Sequence, residues 1–294
     1  MNQTQDFTKG VIWKQLLFFF FPILIGSFFQ QLYNTVDTII VGQAVGTSAL
    51  AAVGSTGNLT NLIVNFYVGL STGASVVIAQ YYGAQNNKKI HQAVHTSYIL
   101  AIVSGILMML FGLFFSYQCL DAIGTPHDIL NDATLYMKLY FLCMIPGAIY
   151  NIGAGILRAV GDSKRPLYYL IVCSIVNVIF DFIFVVIFHQ GIAGAAIATV
   201  IAQSVCAILV TIQLMRTNEV YKLTLSKMKF HLPVLKKIIM IGAPAGIQST
   251  MYSISNIVLQ SHINAFGTQT IASWSVYVKI DALFWMMIAA IGAA

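Results

Sequence analysis

Apolar residues run along this chain in long segments separated by short polar loops. A transmembrane helix needs about 20 consecutive, mostly apolar residues. Eight segments meet that length: 14–41, 52–79, 92–117, 134–157, 167–188, 191–215, 238–263 and 275–294. The pattern predicts an all-α protein that crosses a bilayer repeatedly.

The composition agrees with a membrane protein. The 294 residues are 58% apolar and only 8% charged, whereas a soluble domain carries about 25% charged residues. The net charge of +6 comes from lysines and arginines in a few loops, with no aromatic-interleaved basic patch, so we expect no nucleic-acid partner. The four cysteines form no CxxC pair and are expected to be small core residues.

The distribution of positive charge predicts the orientation. Lysine and arginine lie before span 1 and after spans 2, 4 and 6, but not in the loops after spans 1, 3, 5 and 7. Only Lys138 and Lys279, near the other ends of spans 4 and 8, depart from this alternation. Cytoplasmic loops carry the excess of positive charge, so we expect a multi-pass protein of the cell membrane with a cytoplasmic N-terminus.

The chain repeats itself after six spans. The tetrapeptide at 44–47 recurs in similar form at 265–268, and Pro22 is matched by Pro244. Such a parallel repeat predicts an N-terminal six-helix lobe at 1–215, a cytoplasmic linker at 216–237, and the first two helices of an incomplete second lobe at 238–294. Two full copies would need roughly 440 residues, so we expect a C-terminally truncated protein; a natural eight-span protein is the alternative.

Two acids lie inside apolar spans, away from any lysine or arginine: Asp37 and Asp181. A charged residue at bilayer depth costs about 2.5–3.5 kcal/mol and usually faces a bundle interior or a water-filled cavity on an ion or proton pathway. Polar glue between helices is the alternative role, but asparagine would serve as well at lower cost. The two acids are therefore the main candidates for function.

Further polar residues share their depth or helix face. Counting about 1.5 Å per residue puts Asp37, Asp181 and Thr199 some 6–12 Å below the outer surface, and Asn177 lies one turn before Asp181. This oxygen-rich set suits Na+ or a shared proton, because two close carboxylates repel each other when both are ionised. Asn177 and Thr199 could instead be interhelical glue. A polar stripe in span 1 leads to Asp37 and consists of Gln30, Tyr33 and Asn34.

Other motifs carry less weight. His91 and His95 have the spacing of a metal pair but no third ligand, so a solvated helix start is the favoured interpretation. The chain has no GxSxG, Walker A or HExxH motif in context, so we expect no enzyme.

In order along the chain, several stretches resemble the multidrug and toxic compound extrusion (MATE) transporters. They are Pro22 to Asp37, Val41-Gly42, Gly46 to Gly54, Gln80 to Ala84, Leu157 to Asp162 with Pro166, Asn177-x3-Asp181, and Gly191 to Thr199. The resemblance implies twelve helices in two lobes, of which about eight are present here. It also implies efflux of organic cations or other amphipathic toxic compounds in exchange for H+ or Na+, with no further cofactor.

The resemblance also assigns roles to residues. It places Asp37, Asn177, Asp181 and Thr199 in a first-lobe cation site and Pro22 at a bend of helix 1. We assign the remaining candidates to the substrate cavity or to gating, together with Pro22: Gln30, Tyr33, Asn34 and Asn151. Pro22 could be only a tolerated kink, and Asn151 only glue.

The expected partners are small-molecule substrates and the lipid bilayer, and we expect a monomer. A lipid-linked oligosaccharide flippase of the same superfamily is the nearest alternative function, although a cavity for anionic headgroups should contain arginine or lysine. A non-transporting membrane scaffold is a further alternative, but it leaves the two acids unexplained.

Overall fold

A computed structural model describes residues 12–264, Tyr277, Asp281 and 284–292. Within these ranges the chain is helical and contains no strand, so the predicted all-α fold is confirmed. Eight α-helices follow in order: α1 (Ile12–Ala44), α2 (Thr47–Gly83), α3 (Asn87–Ala122), α4 (His127–Phe141), α5 (Met144–Ala159), α6 (Lys164–Asp181), α7 (Gly191–Arg216) and α8 (Leu232–Asn264). The second copy of the repeated tetrapeptide, Lys279 and most of the predicted span 275–294 lie outside the described residues.

Five of the described helices are long and apolar enough to cross a membrane, and the bent pair α4–α5 makes a sixth. These helices contain the first six predicted spans. The seventh predicted span lies within α8, which is long enough but falls short of the apolar composition of the others in the part described. Its second half contains hydroxyl and amide residues such as Gln248, Ser249 and Ser253, which lower its mean hydropathy.

The fourth span is broken rather than straight. α4 and α5 meet at 45° across a break at residues 142–143. Pro146 has no backbone N–H to donate to the carbonyl one turn earlier, which weakens helical pairing at this point. The backbone makes shorter-range hydrogen bonds here instead. The Leu142 and Cys143 amides donate to the carbonyls three residues earlier, at 3.1 and 2.9 Å.

The fifth span changes helix type directly after Asp181. Residues Phe182–Ile187 form a π-helical turn, in which the Phe188 amide donates to the Ile183 carbonyl at 2.9 Å. Such turns occur mostly as single insertions in α-helices and often at functional sites. α1, by contrast, continues unbroken through Pro22.

α2 and α8 pack backbone against backbone through two pairs of glycines. A Cβ at Gly69 would lie 2.3 Å from the Cα of Gly246, and one at Gly73 would lie 2.6 Å from the Cα of Gly242. Glycines four residues apart on both helices permit this approach, as in other GxxxG contacts between membrane helices.

The segment between α7 and α8 is bound to the start of α3. Tyr221 and Leu223 are buried, and the Leu223 amide donates to the Leu214 carbonyl at 2.8 Å. His95 is 1% exposed, with Nε2 lying 3.1 Å from the Thr224 amide nitrogen. The expectation of a solvated helix start is therefore wrong for His95, because the linker covers it.

Candidate functional site

The two intramembrane acids meet at the end of the bundle opposite the basic loops. Asp37 projects from α1 about two turns before that helix ends, and Asp181 is the last residue of α6. α1 and α6 pack against each other, and the two carboxyls lie close enough for their charges to interact directly. Asp181 is fully buried, with 0% of its surface exposed.

The oxygen atoms of this site have few partners. Apart from the contact between the two carboxyl groups themselves, both carboxylate oxygens of Asp181, Oδ1 of Asp37 and Oδ1 of Asn177 are buried without a hydrogen bond from any described residue. Leaving such groups unpaired costs about 1–3 kcal/mol each, more when charged. Four free oxygens from three neighbouring side chains are the donor set expected for a proton or a hard cation such as Na+.

Asn177 and Thr199 connect α6 to α7 beside the acids. The Asn177 amide nitrogen donates to the Thr199 hydroxyl at 3.5 Å, and that hydroxyl donates to the Ala195 carbonyl at 3.1 Å. This contact turns the amide oxygen of Asn177 away from Thr199. Asn177 can therefore both connect the two helices and bind a cation, because its nitrogen makes the interhelical contact and its oxygen stays available for the cation.

A cavity of about 180 Å³ runs along α1, α5 and α6 beside this site. Thr199 lines it, whereas Asp37, Asn177 and Asp181 do not. Five of the candidates identified from the sequence line it: Pro22, Gln30, Tyr33, Asn151 and Thr199. Asn34 does not, because it lies on the exposed side of α1. The Asn151 amide donates to the Gly147 carbonyl of its own helix at 2.8 Å, so its nitrogen is occupied within α5.

Arg158 is a positively charged residue that lines the interior of the bundle. The sequence did not indicate this, because Arg158 lies next to a basic loop. It is the penultimate residue of α5 and lines both the cavity beside Tyr33 and a second cavity of about 450 Å³ between α2 and α5. The second cavity also contains the hydroxyl residues Ser71, Thr72 and Ser75. The interior is thus acidic at one end and basic at the other.

Two tyrosines of α4 border the acids and were not identified from the sequence. Tyr136 is buried and lies within electrostatic range of both Asp37 and Asp181. Its ring stacks on Tyr140, with centroids 6.1 Å apart, and Tyr140 lines the cavity with Tyr33. Their spacing of one helical turn was the available signal, but two aromatic residues one turn apart usually indicate simple packing.

Known proteins with similar sequences include some that are named for multidrug resistance or multidrug export. The chain is 28% identical over 300 residues to the probable multidrug resistance protein YoeA of Bacillus subtilis, an alignment that covers 99% of this chain and 64% of YoeA. It is 23% identical over 279 residues to the multidrug export protein MepA of Staphylococcus aureus strain MRSA252, covering 95% of this chain and 62% of MepA. The chain thus spans a little under two-thirds of the length of these relatives.

Solved structures agree with the sequence comparison. A crystal structure of MATE in the bent conformation superposes with a TM-score of 0.91 at 26% identity, covering 100% of this chain and 66% of that one. An outward-facing multidrug resistance MATE transporter of the MOP superfamily gives a TM-score of 0.88 at 26% identity, covering 95% and 62%. The MatE family model matches residues 22–183, a range that includes Asp37, Asn177 and Asp181. The chain belongs to the MatE family.

Proposed function

We propose that the protein exports organic cations or other amphipathic toxic compounds in exchange for H+ or Na+. Asp37, Asn177, Asp181 and Thr199 bind the coupling cation in this proposal. The single observation that carries it is the fully buried carboxylate of Asp181, whose only close polar partner among the described residues is a second carboxylate, that of Asp37. A fold retains such an arrangement at a cost, which a bound cation offsets.

α1 is the element that connects cation binding to the substrate cavity. It contributes Asp37 to the acid pair and Pro22, Gln30 and Tyr33 to the cavity wall. A cation that binds Asp37 and Asp181 removes the repulsion between them and draws α1 towards α6. Pro22 weakens helical pairing in α1, so the helix bends there, the cavity changes shape, and substrate leaves on the outer side.

The membrane potential favours this direction of exchange when a transport cycle carries net positive charge inward. We place the N-terminus in the cytoplasm, so the acid pair opens towards the outside of the cell membrane, where the coupling cation enters. Each net positive charge that moves inward per cycle contributes about 2.3 kcal/mol per 100 mV. Net charge moves inward when the exported compound is neutral, or when more coupling cations enter than substrate charges leave. One-for-one exchange with a monovalent organic cation is electroneutral and is driven by the concentration gradient of the coupling cation alone. Labelling of single cysteines introduced at Lys88 and at His189, from outside intact cells, tests the orientation: only the cysteine at 189 should react.

Transport is tested most directly in proteoliposomes that contain the complete protein. Na+ and pH gradients are imposed separately while efflux of a fluorescent organic cation is followed. Export driven by either gradient is the expected result. Efflux that ignores both gradients would exclude antiport.

Asp37→Asn tests the role of the acid pair. The variant should abolish drug resistance while membrane insertion and expression remain normal, because the amide cannot balance a cation. Asp132→Asn, an exposed acid of α4, is the matched control and should leave resistance unchanged. Full resistance in Asp37→Asn would contradict the proposal.

Flippase activity is the second candidate, and one observation favours it. Arg158 lines both interior cavities, and an interior arginine suits an anionic headgroup. Translocation of a fluorescent anionic lipid by the reconstituted protein, lost in Arg158→Gln and accompanied by no drug export, would establish the flippase instead.

A further inference from the structure

A basic pocket of about 510 Å³ lies where the segment between α7 and α8 packs against the first turns of α3. Three lysines and two histidines line it together with two neutral polar residues, and no acid is present among its lining residues. They are Lys88, His91, Gln92, Ser226, Lys227, Lys229 and His231. The function proposed above does not use this pocket.

Hydrogen bonds hold the two walls of the pocket together. His95 donates from Nδ1 to the His91 carbonyl at 2.7 Å, which leaves Nε2 to accept the Thr224 amide at 3.1 Å. The His231 amide donates to the Thr96 hydroxyl at 3.2 Å. The lysines of the linker are therefore positioned by a buried histidine and a buried threonine, rather than carried on a detached loop.

Exposed apolar side chains stand next to the pocket-lining residues in the linker sequence, and we call them the apolar rim. Leu225, Phe230 and Leu232 expose 50%, 43% and 69% of their surface and alternate with the basic residues along the linker. Apolar side chains next to lysines are typical of segments that lie in the membrane interface, where the apolar groups enter the acyl boundary and the lysines contact headgroups. A soluble phosphate compound would account for the lysines but not for this rim.

We propose that this pocket binds the phosphate headgroup of an anionic phospholipid in the cytoplasmic leaflet. The lysines supply positive charge and the amide of Gln92 and hydroxyl of Ser226 supply neutral donors, while the apolar rim contacts the acyl chains. The assignment to the cytoplasmic leaflet depends on the orientation proposed above, in which the basic loops are cytoplasmic. The predicted preference for an anionic headgroup depends only on the residues that line the pocket. Anionic lipids of that leaflet attract basic residues close to the membrane surface.

The bound lipid bridges two parts of the chain. It contacts α3 on one side and the segment that leads into α8 on the other, so its binding stabilises their association. We therefore expect anionic lipid to raise the thermal stability of the protein in addition to binding it.

The experiment uses the purified chain in a neutral detergent. Phosphatidylglycerol or phosphatidylcholine is titrated in, and bound lipid is counted by native mass spectrometry while the unfolding temperature is followed. Lys88→Gln/Lys227→Gln/Lys229→Gln removes the pocket charge, and Lys164→Gln/Lys222→Gln/Lys236→Gln removes three exposed lysines outside the pocket. Inorganic phosphate and ATP form separate arms.

Phosphatidylglycerol should bind and stabilise the wild type and the control triple, and the pocket triple should lose about tenfold or more in affinity. Phe230→Ser/Leu232→Ser should weaken lipid binding without changing the response to phosphate. Equal lipid binding by the pocket triple would overturn the proposal, as would phosphate or ATP that binds as tightly as phosphatidylglycerol. If the pocket triple does not fold, Lys227→Gln alone decides the matter by the same readouts. Failure here leaves the Asp37→Asn result untouched.

Discussion

The amide nitrogen of Asn177 donates to the hydroxyl of Thr199 across 3.5 Å, and the same side chain leaves its oxygen unpartnered one helical turn before Asp181. The donor of the amide is used for helix packing, whereas its acceptor is buried without a hydrogen bond from the described residues. Thr199 consequently holds the orientation of Asn177 as well as lining the cavity. Changes at Thr199 should therefore affect cation binding more than folding.

Thr199→Ala should lower the apparent affinity of the protein for Na+ about tenfold, because the hydroxyl that orients Asn177 is lost. The measurement is the unfolding temperature in detergent as NaCl replaces choline chloride, since a ligand that binds only the folded state raises it. Thr199→Ser keeps the hydroxyl and should retain the Na+ response. A site used by protons alone would show no Na+ response in the wild type either, and the same series would then be followed against pH.

Asp181→Asn should make the protein more stable while it abolishes coupled transport. The substitution removes a buried charge whose only close polar partner among the described residues is another carboxylate, and we expect a gain of about 1–2 kcal/mol. Thermal unfolding in Na+-free buffer measures it. Asp132→Asn, at an exposed position, should change stability by less than about 0.5 kcal/mol. A destabilised Asp181→Asn would indicate a structural role for this carboxylate.

Gly69→Ala should separate α2 from α8. The new Cβ would lie 2.3 Å from the Cα of Gly246, so backbone must move, and overpacking of this kind costs about 1–3 kcal/mol. Gly57→Ala is the matched control within α2, since nothing lies within 4 Å of its added Cβ. Unfolding temperatures of the two variants compare them directly; equal effects would show that the glycine contact contributes nothing.

His95→Ala should release the linker from α3. It removes the acceptor of the Thr224 amide and leaves that group unpaired, at a cost of about 1–3 kcal/mol. Trypsin should then cleave faster after Lys222 and Lys227, as detected by mass spectrometry of the fragments. His127→Ala, at the exposed start of α4, should leave the cleavage rate unchanged. An unchanged rate in His95→Ala would mean that the buried Tyr221 and Leu223 hold the linker alone.

The apolar pattern predicted the described helices well because a span must satisfy its own backbone hydrogen bonds, which leaves little choice of local structure. The meeting of Asp37 and Asp181 could also be predicted, since depth in a bilayer follows from counting residues. The sequence could not predict which individual residues of α1 face the interior. Tyr33 and Asn34 are adjacent and so project about 100° apart, and only Tyr33 reaches the cavity.

Other features depend on tertiary contacts that no local pattern encodes. Arg158 follows an apolar span next to a basic loop, and only the packing of α2 against α5 shows that it lines the interior. The burial of His95 depends on a linker more than a hundred residues away in sequence. The 45° break before α5 had a signal in Pro146, but proline inside a span is compatible with a continuous helix, as Pro22 in α1 shows.

The π turn behind Asp181 has a consequence for how this helix tolerates changes in length. A turn that pairs each amide with the carbonyl five residues earlier holds one residue more than its α-helical equivalent, and one residue corresponds to about 100° of rotation. Deleting a single residue between Phe182 and Ile187 would therefore convert the turn to regular α-helix. Because the residue removed is the extra one of the wide turn, the rotation of about 100° that a deletion causes in a regular α-helix would not arise. Asp181 would keep its place against Asp37, and Phe188 beyond the turn would keep its side of the helix. This helix can therefore lose one residue next to Asp181 without a change in the orientation of its outer end.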